Sequence, residues 1–116
     1  MGKSGDGYIG VKPGTIQVFA NIIGRIRVVA HELGYAVTVH GSLRRDIDLV
    51  AIPWTKVAAG REAILTGIIE ACEGLRGCDG WRIRPHGRLA HIIHLPSNVY
   101  IDLSVLPIDS EREAIP

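Results

Sequence analysis

The chain has 116 residues, of which 47% are hydrophobic and 22% are charged, and these values are typical of one ordinary globular domain. Its formal net charge of +1 excludes a general electrostatic attraction to nucleic acid or to an acidic membrane surface, so such a contact would need a local patch. We therefore predict a single domain over residues 1–116, with loose ends at 1–13 and 108–116.

Cysteine content and hydropathy predict a cytoplasmic protein that does not enter a membrane. The two cysteines, Cys72 and Cys78, do not form a C-x-x-C pair and are too few for a disulfide framework, so reduced thiols are expected. No apolar run approaches the roughly 18 residues that a membrane span needs. No secretory signal opens the sequence.

The first half of the chain predicts a helix followed by two strands. Apolar side chains recur at helical spacing over residues 15–33, with Thr15 as the expected N-cap and Gly34 as the expected stop. Residues 35–42 and 46–54 are β-branched and alternate in polarity, which is typical of strands. Because only three residues connect them, these strands should be antiparallel neighbours.

The second half predicts another helix and a further set of strands. Residues 57–73 have helical periodicity, and residues 81–98 indicate one or two short strands with a bend forced by Pro85 and Gly87. Residues 99–107 alternate in polarity and form the last predicted strand. This order predicts an α+β fold in which two main helices pack on one face of a mixed β-sheet.

Two aspartates stand one residue apart at the start of the second predicted strand. Asp46 and Asp48 should point to the same face, roughly 7 Å apart, where their charges repel. An arginine or a divalent cation could compensate, and Mg²⁺ prefers carboxylate oxygens. Asp102, on the polar face of the last strand, offers a third carboxylate. The alternative is a solvated strand end in which Arg44 and Arg45 pair with the aspartates.

A basic segment follows the second helix. Arg82, Arg84, His86 and Arg88 would share one face of a regular strand and form a basic edge. This edge could hold phosphates or an acceptor nucleic acid, or its charge could protect an exposed strand from pairing with another chain. His86 and Arg88 are the stronger candidates for substrate binding because they flank Gly87 at the bend.

Other short motifs in the sequence lack the neighbouring residues that their functions need. Residues 5–10 match G-x-G-x-x-G and residues 2–4 resemble the end of a P-loop, but neither has the strand or glycine that must precede it. His91 and His94 would face opposite sides of a strand and so do not suit zinc. Ser42 lacks the G-x-S-x-G elbow of a hydrolase nucleophile.

The stretch GSLRRDIDLV, together with an aspartate on a later strand, resembles the signature of the nucleotidyltransferase superfamily. That superfamily includes DNA polymerase beta, the tRNA CCA-adding enzymes, and small antibiotic- and toxin-modifying nucleotidyltransferases. The stretch RPHGRLAHIIHLPSNVYIDLSVLP is similar to small uncharacterised nucleotidyltransferase-like proteins of phages and bacteria. The resemblance covers roughly residues 35–107 and implies a minimal nucleotidyltransferase-like fold.

The resemblance implies Mg²⁺-dependent (or Mn²⁺-dependent) transfer of a nucleoside monophosphate from a nucleoside triphosphate to an unknown acceptor, with nucleic acid as one candidate. It implies that Asp46, Asp48 and Asp102 are the catalytic and metal-binding residues, because paired metals neutralise and position the phosphates. We expect the substrate to be bound by Gly41, Ser42, Arg44, Arg45, His86 and Arg88.

The sequence also departs from the family pattern. The three residues between Ser42 and Asp46 are fewer than family members have there, so the usual helical turn that holds the triphosphate does not fit. The helical domain that normally accompanies the fold is also missing. Either a protein partner or a second copy completes the site, or the chain is a catalytically inactive binding module, such as an antitoxin-like or phage accessory protein. A nucleic-acid-binding domain that uses the basic edge is a third hypothesis.

Overall fold

The computed structural model describes residues 13–40 and 46–108, apart from the side chains of residues 13–18, 86 and 97. Within these residues the chain forms two helices and six strands, with two short 3₁₀ turns at Pro85–Gly87 and Pro96–Asn98. The bounds are α1 Pro13–Glu32, β1 Tyr35–His40, β2 Asp46–Pro53, α2 Arg61–Cys72, β3 Leu75–Arg76, β4 Arg82–Ile83, β5 Leu89–Leu95 and β6 Val99–Val105.

The strands form one mixed sheet in the order β1-β2-β6-β5-β3, with β4 also paired to β5. The predicted antiparallel pairing of β1 with β2 is confirmed, and β5 and β6 are also antiparallel. The pair at the centre, β2 and β6, is parallel, so the chain between them must cross back over the sheet. Helix α2 lies in that connection.

The core lies on one face of the sheet, under both helices. Ile47 and Leu49 of β2 and Ile101 and Leu103 of β6 are buried, whereas Asp102 between the latter two is partly exposed. This alternation follows from the two-residue period of a strand. The predicted α+β arrangement, with two helices on one face of a mixed sheet, is confirmed. The helical residues in this core are Phe19, Ile23, Ile26 and Ala30 of α1 and Ile64, Leu65, Ile68 and Cys72 of α2.

The predicted end of α1 is correct and its predicted beginning is wrong. Gly34 follows the helix with φ +92°, a conformation that glycine adopts without the steric cost of a Cβ. The helix begins at Pro13, so Thr15 lies inside it and is not its N-cap. Proline suits a first helical turn because the amide hydrogen that it lacks has no partner there.

Helix α2 begins at Arg61, later than predicted from periodicity, because tertiary hydrogen bonds hold the preceding residues in a loop. The Ala59 amide donates to the Leu33 carbonyl at 2.9 Å, and the Tyr35 hydroxyl donates to the Ala59 carbonyl at 2.7 Å. These bonds connect the loop to the turn between α1 and β1. The helix ends at Cys72, its C-cap residue Glu73 has φ 56°, and the following Gly74 amide donates back to the Ile69 carbonyl at 3.0 Å.

The predicted bend between two short strands is also confirmed. Residues Pro85–Gly87 form a 3₁₀ turn, with β4 before it and β5 after it. Strand β3, only two residues long, was not predicted, since so short a segment has no detectable period. Neither described helix is both long enough and apolar enough to cross a membrane.

Candidate functional site

The three predicted carboxylates lie on the face of the sheet opposite the helices. In the parallel pairing of β2 with β6, Asp48 lies beside Asp102 and Asp46 lies beside Tyr100. Directly paired residues of neighbouring strands point to the same face, and so do residues two apart on one strand. The parallel pairing therefore brings together carboxylates that are far apart in the sequence.

Asp48 is the carboxylate with the least favourable surroundings. Its pKa is raised mainly because the side chain is partly removed from water, and further because Asp102 and Asp46 repel its negative charge. His40 and Arg84 oppose this effect without cancelling it. Among the described residues, the effects that disfavour the charge of Asp48 thus outweigh those that favour it.

Asp102 has one satisfied and one unsatisfied carboxylate oxygen. Its Oδ2 accepts a hydrogen bond and ion pair from Arg84 Nη2 at 2.9 Å. Its Oδ1 is buried and has no hydrogen-bond partner among the described residues. A buried acceptor without a partner costs free energy, so this atom is a natural point for a ligand to bind.

Asp46 is held by a tyrosine on the neighbouring strand. The Tyr100 hydroxyl donates a hydrogen bond to Asp46 Oδ2 at 3.1 Å. This bond and the charge of Asp46 raise the pKa of Tyr100, because the phenolate form would lose the bond and face a carboxylate. The bond fixes the direction of the Asp46 side chain on the open face.

A cleft of about 240 Å³ opens over the Asp48–Asp102 pair, and basic side chains line its edge. They are Arg84, Arg88 and His40, which lies directly opposite Asp48 in the antiparallel pairing with β1. The His40 side chain is exposed at this cleft. Carboxylates and cations in one small cleft can bind a metal ion and an anion together.

The residues of the basic segment would share one face only in a regular strand, and the 3₁₀ turn at Pro85–Gly87 interrupts that strand. Arg82 belongs to β4 and borders a separate hollow with Tyr100 and His94, whereas Arg84 and Arg88 line the acidic cleft. Arg84, the ion-pair partner of Asp102, was not among the predicted substrate-binding residues. The bend at Pro85 and Gly87, directly after Arg84, was the sequence feature that could have identified it as a site residue.

Several predicted site residues lie outside the described part of the chain. His86 lies within the 3₁₀ turn, but its side chain is not among those described. The remaining residues belong to the connection between β1 and β2, residues 41–45, which lies outside the described ranges. They are Gly41, Ser42, Arg44 and Arg45, and their roles remain predictions.

The two histidines of β5 do not form a pair, as expected from their spacing. His91 is buried among the residues that face the helices and packs edge-on against Trp81, with ring centroids 5.0 Å apart. His94 is exposed on β5. Over residues 13–40 and 46–108, no group of three or more His, Cys, Asp or Glu side chains is arranged to hold a metal ion.

The chemistry of the cleft nevertheless suits a divalent cation. Mg²⁺ commonly takes one or two protein carboxylates and completes its coordination with water and substrate phosphates. Asp48 and Asp102 provide two neighbouring carboxylates, and one oxygen of Asp102 is buried with no donor among the residues that the structure describes. The donors are all oxygen, which is the ligand type that Mg²⁺ and Mn²⁺ prefer.

Comparison with known proteins provides no family assignment. Neither a scan against protein-family models nor a search of curated proteins returned a match.

Proposed function

We propose that this protein is a nucleotidyltransferase of minimal nucleotidyltransferase-like fold that depends on Mg²⁺ or Mn²⁺ and transfers a nucleoside monophosphate from a nucleoside triphosphate to an acceptor. The observation that carries the proposal is the pair formed by Asp48 and Asp102, which lie side by side on parallel strands and in which the pKa of Asp48 is raised by burial and by the neighbouring carboxylates. A like-charge pair on an open sheet face is unfavourable without a ligand, and a divalent cation relieves it.

Each residue of the cleft has a part in this proposal. Asp48 and Asp102 would hold the cation, and Tyr100 would orient Asp46 beside them. Arg84 and Arg88 would neutralise phosphate oxygens from the edge of the cleft. When bound, the cation would supply charge neutralisation and alignment, which are the main requirements of phosphoryl and nucleotidyl transfer.

Metal-dependent nucleotide binding is the first test. Calorimetric titration of the protein with a nucleoside triphosphate, with and without Mn²⁺, should show binding that requires the metal. Asp48→Asn and Asp102→Asn should each weaken this binding by about tenfold or more, because each removes a charged ligand. Asp79→Asn is the matched control, since this exposed aspartate borders the other hollow. Binding that is indifferent to metal and to both cleft variants would contradict the proposal.

Transfer itself is measured with triphosphates labelled at the α-phosphate and with RNA, DNA and protein acceptors. The label should appear on one acceptor class and pyrophosphate should be released, in both cases only with metal. The expected acceptors include nucleic acid, and a protein partner or second copy could complete the site. We place the reaction in the cytoplasm, where the exposed thiol of Cys78 would stay reduced.

A catalytically inactive binding module is the second candidate. Arg84 already neutralises one oxygen of Asp102, as a purely structural ion pair would. This candidate predicts no metal-dependent nucleotide binding, and binding of a partner that survives Asp48→Asn. The titrations above therefore distinguish the two functions.

A further inference from the structure

The turn between β4 and β5 holds two arginines at its two ends. The Arg84 amide donates to the Arg88 carbonyl at 2.7 Å, which closes the turn around Pro85–Gly87. Gly87 has φ +75°, a conformation that residues with a Cβ rarely adopt. Arg88 Nε also donates to the Pro85 carbonyl at 3.3 Å. We call residues 84–88 the arginine turn, and both of its arginines line the acidic cleft.

Arg84 occupies a position from which it can change partners. Its side chain is 39% exposed, and the Asp102 side chain that it contacts is 23% exposed. Ion pairs that remain in contact with water contribute little net stability, so exchanging this one costs little. The guanidinium carries five donors in a planar fork, a geometry that matches phosphate oxygens as well as a carboxylate.

The charges of the cleft favour such an exchange when a cation arrives. Without metal, the carboxylates of Asp48 and Asp102 share the cleft with the guanidinium groups of Arg84 and Arg88, and Asp46 adds a further negative charge nearby. A divalent cation on the carboxylates adds two positive charges to this cleft. The cation competes with Arg84 for Asp102, and the released guanidinium then needs an anion.

We propose that Arg84 and Arg88 form a binding subsite for the polyphosphate chain of a nucleotide, and that Arg84 leaves Asp102 for the phosphate oxygens when metal binds. The identity of the anion as a nucleoside triphosphate rests on the proposed function. By thermodynamic linkage, metal and phosphate strengthen each other's binding by the same factor.

A fixed structural ion pair would behave differently from an exchanging one. If Arg84 exchanges, removing its charge frees Asp102 and strengthens the binding of metal alone, while it weakens the binding of phosphate. If Arg84 only supports the fold, its removal leaves the binding of phosphate unchanged, although the binding of metal alone still strengthens because a nearby positive charge is lost. The effect on phosphate binding therefore distinguishes the two roles.

The experiment compares Arg84→Gln and Arg88→Gln with Arg82→Gln in calorimetric titrations with Mn²⁺ alone, and with inorganic tripolyphosphate at saturating Mn²⁺. Arg82→Gln is the matched control, because it removes the same charge from the same hairpin outside the cleft. We expect Arg84→Gln and Arg88→Gln to weaken tripolyphosphate binding about tenfold or more, as expected for charged hydrogen bonds, and Arg82→Gln to change it less than about twofold. Mn²⁺ alone should bind Arg84→Gln more tightly than the unmodified chain. Tripolyphosphate binding that is equal in all three variants overturns the proposal.

A fourth variant keeps this test independent of the transferase proposal. Asp102→Asn removes a metal ligand and releases Arg84, so it should bind tripolyphosphate without metal more tightly than the unmodified chain does. This gain, lost again in Arg84→Gln/Asp102→Asn, supports the subsite even if the unmodified protein binds no metal and the transferase proposal fails. Conversely, if metal-dependent nucleotide binding has the same affinity in Arg84→Gln as in the unmodified chain, the subsite proposal is overturned and the transferase proposal is not.

A replacement variant and an RNA-binding measurement complete the experiment. If Arg84→Gln does not fold, as judged by circular dichroism, Arg84→Lys replaces it in the test. Lysine keeps the positive charge but lacks the planar guanidinium group, so we expect an intermediate loss of tripolyphosphate affinity. A single-stranded RNA without terminal phosphate tests the other source of phosphate oxygens. RNA binding that depends on Arg84, without tripolyphosphate binding, overturns the assignment to a polyphosphate chain.

Discussion

Asp48 and Asp102 lie side by side on neighbouring parallel strands, on the sheet face that neither helix covers. Their strands place the carboxylates there because Ile47 and Leu49, and Ile101 and Leu103, must face the helices. The core thus fixes the direction of both charged side chains. Like charges directly opposite each other on neighbouring strands are destabilising, so the arrangement is unfavourable in the absence of a ligand.

Asp48→Asn should stabilise the metal-free protein at neutral pH. The raised pKa of Asp48 means that the folded state disfavours its ionised form, so ionisation destabilises the fold as pH rises through that pKa. Removing the charge should increase the free energy of unfolding by about 0.2 to 1 kcal/mol, the range typical of cross-strand pairs. Urea denaturation in the presence of a chelator measures this change.

The same titration at saturating Mn²⁺ provides the contrast. There the unmodified chain should gain stability from bound metal, and Asp48→Asn should lose most of that gain. Asp79→Asn should leave both measurements unchanged. Destabilisation by Asp48→Asn without metal would show that its charge is well compensated in the folded protein.

Tyr100→Phe should weaken metal binding while leaving the fold intact. The substitution removes only the hydroxyl that donates to Asp46 Oδ2 at 3.1 Å, so Asp46 loses its fixed direction. Asp46 is a charged neighbour of the Asp48–Asp102 pair, and groups that surround a metal site outside its direct ligands typically change metal affinity by about tenfold or more. Mn²⁺ titration measures this effect.

Tyr35→Phe is the matched control for the tyrosine prediction. The Tyr35 hydroxyl donates to the Ala59 carbonyl on the helix side of the sheet, away from the cleft. Its loss should lower stability by about 1 kcal/mol and leave Mn²⁺ affinity unchanged. Equal Mn²⁺ affinities for Tyr100→Phe and the unmodified chain would exclude a positioning role for Tyr100.

Gly34→Ala should destabilise the protein by about 1 to 3 kcal/mol, since a side chain is strained at φ +92°. The added Cβ would also lie 2.8 Å from Ala58 Cα, a backbone atom that cannot move aside alone. Gly24→Ala, on the exposed side of α1 with no atom within 4 Å of the new Cβ, should instead stabilise by about 0.5 to 1 kcal/mol. Thermal unfolding of both variants measures the two changes in stability, which should be opposite in direction. If both variants were stabilised or both destabilised, the structure of the turn would be contradicted.

Glu62 should contribute to stability at neutral pH and lose that contribution in acid. Its pKa is lowered, mainly by a hydrogen bond from Trp81 Nε1 at 2.6 Å and also by Arg76. A lowered pKa stabilises the fold above the ordinary value of 4.5, and the effect disappears as pH falls below it. Because the side chain is exposed, Glu62→Gln should cost less than about 1 kcal/mol at neutral pH.

Urea denaturation at neutral pH and at about pH 3.5 tests the Glu62 prediction, since the second pH lies below the ordinary pKa of a glutamate. The stability difference between Glu62→Gln and the unmodified chain should shrink in acid. Glu70→Gln on the same helix is the control, because no described side chain donates a hydrogen bond to its carboxylate. A stability difference between Glu62→Gln and the unmodified chain that grows in acid would contradict the lowered pKa of Glu62.

Elements with a clear period were predictable from sequence, and elements defined by contacts were not. The stripes of α1 and α2 and the alternation of β6 indicated which face of each element is buried, because burial repeats with the helical or strand period. The late start of α2 depends on the Ala59–Leu33 hydrogen bond, which joins residues far apart in the chain. The short strand β3 exists only because β5 is there to pair with it.

The candidate site divides in the same way. That Asp46 and Asp48 share a face follows from the geometry of a single strand, and local sequence was sufficient to predict it. That Asp102 lies beside Asp48, and that Arg84 reaches Asp102, depends on the parallel pairing of β2 with β6 and on the fold of the arginine turn. Backbone periodicity acts within one segment, whereas the charges that surround a carboxylate come from whichever segments the packed core brings next to it.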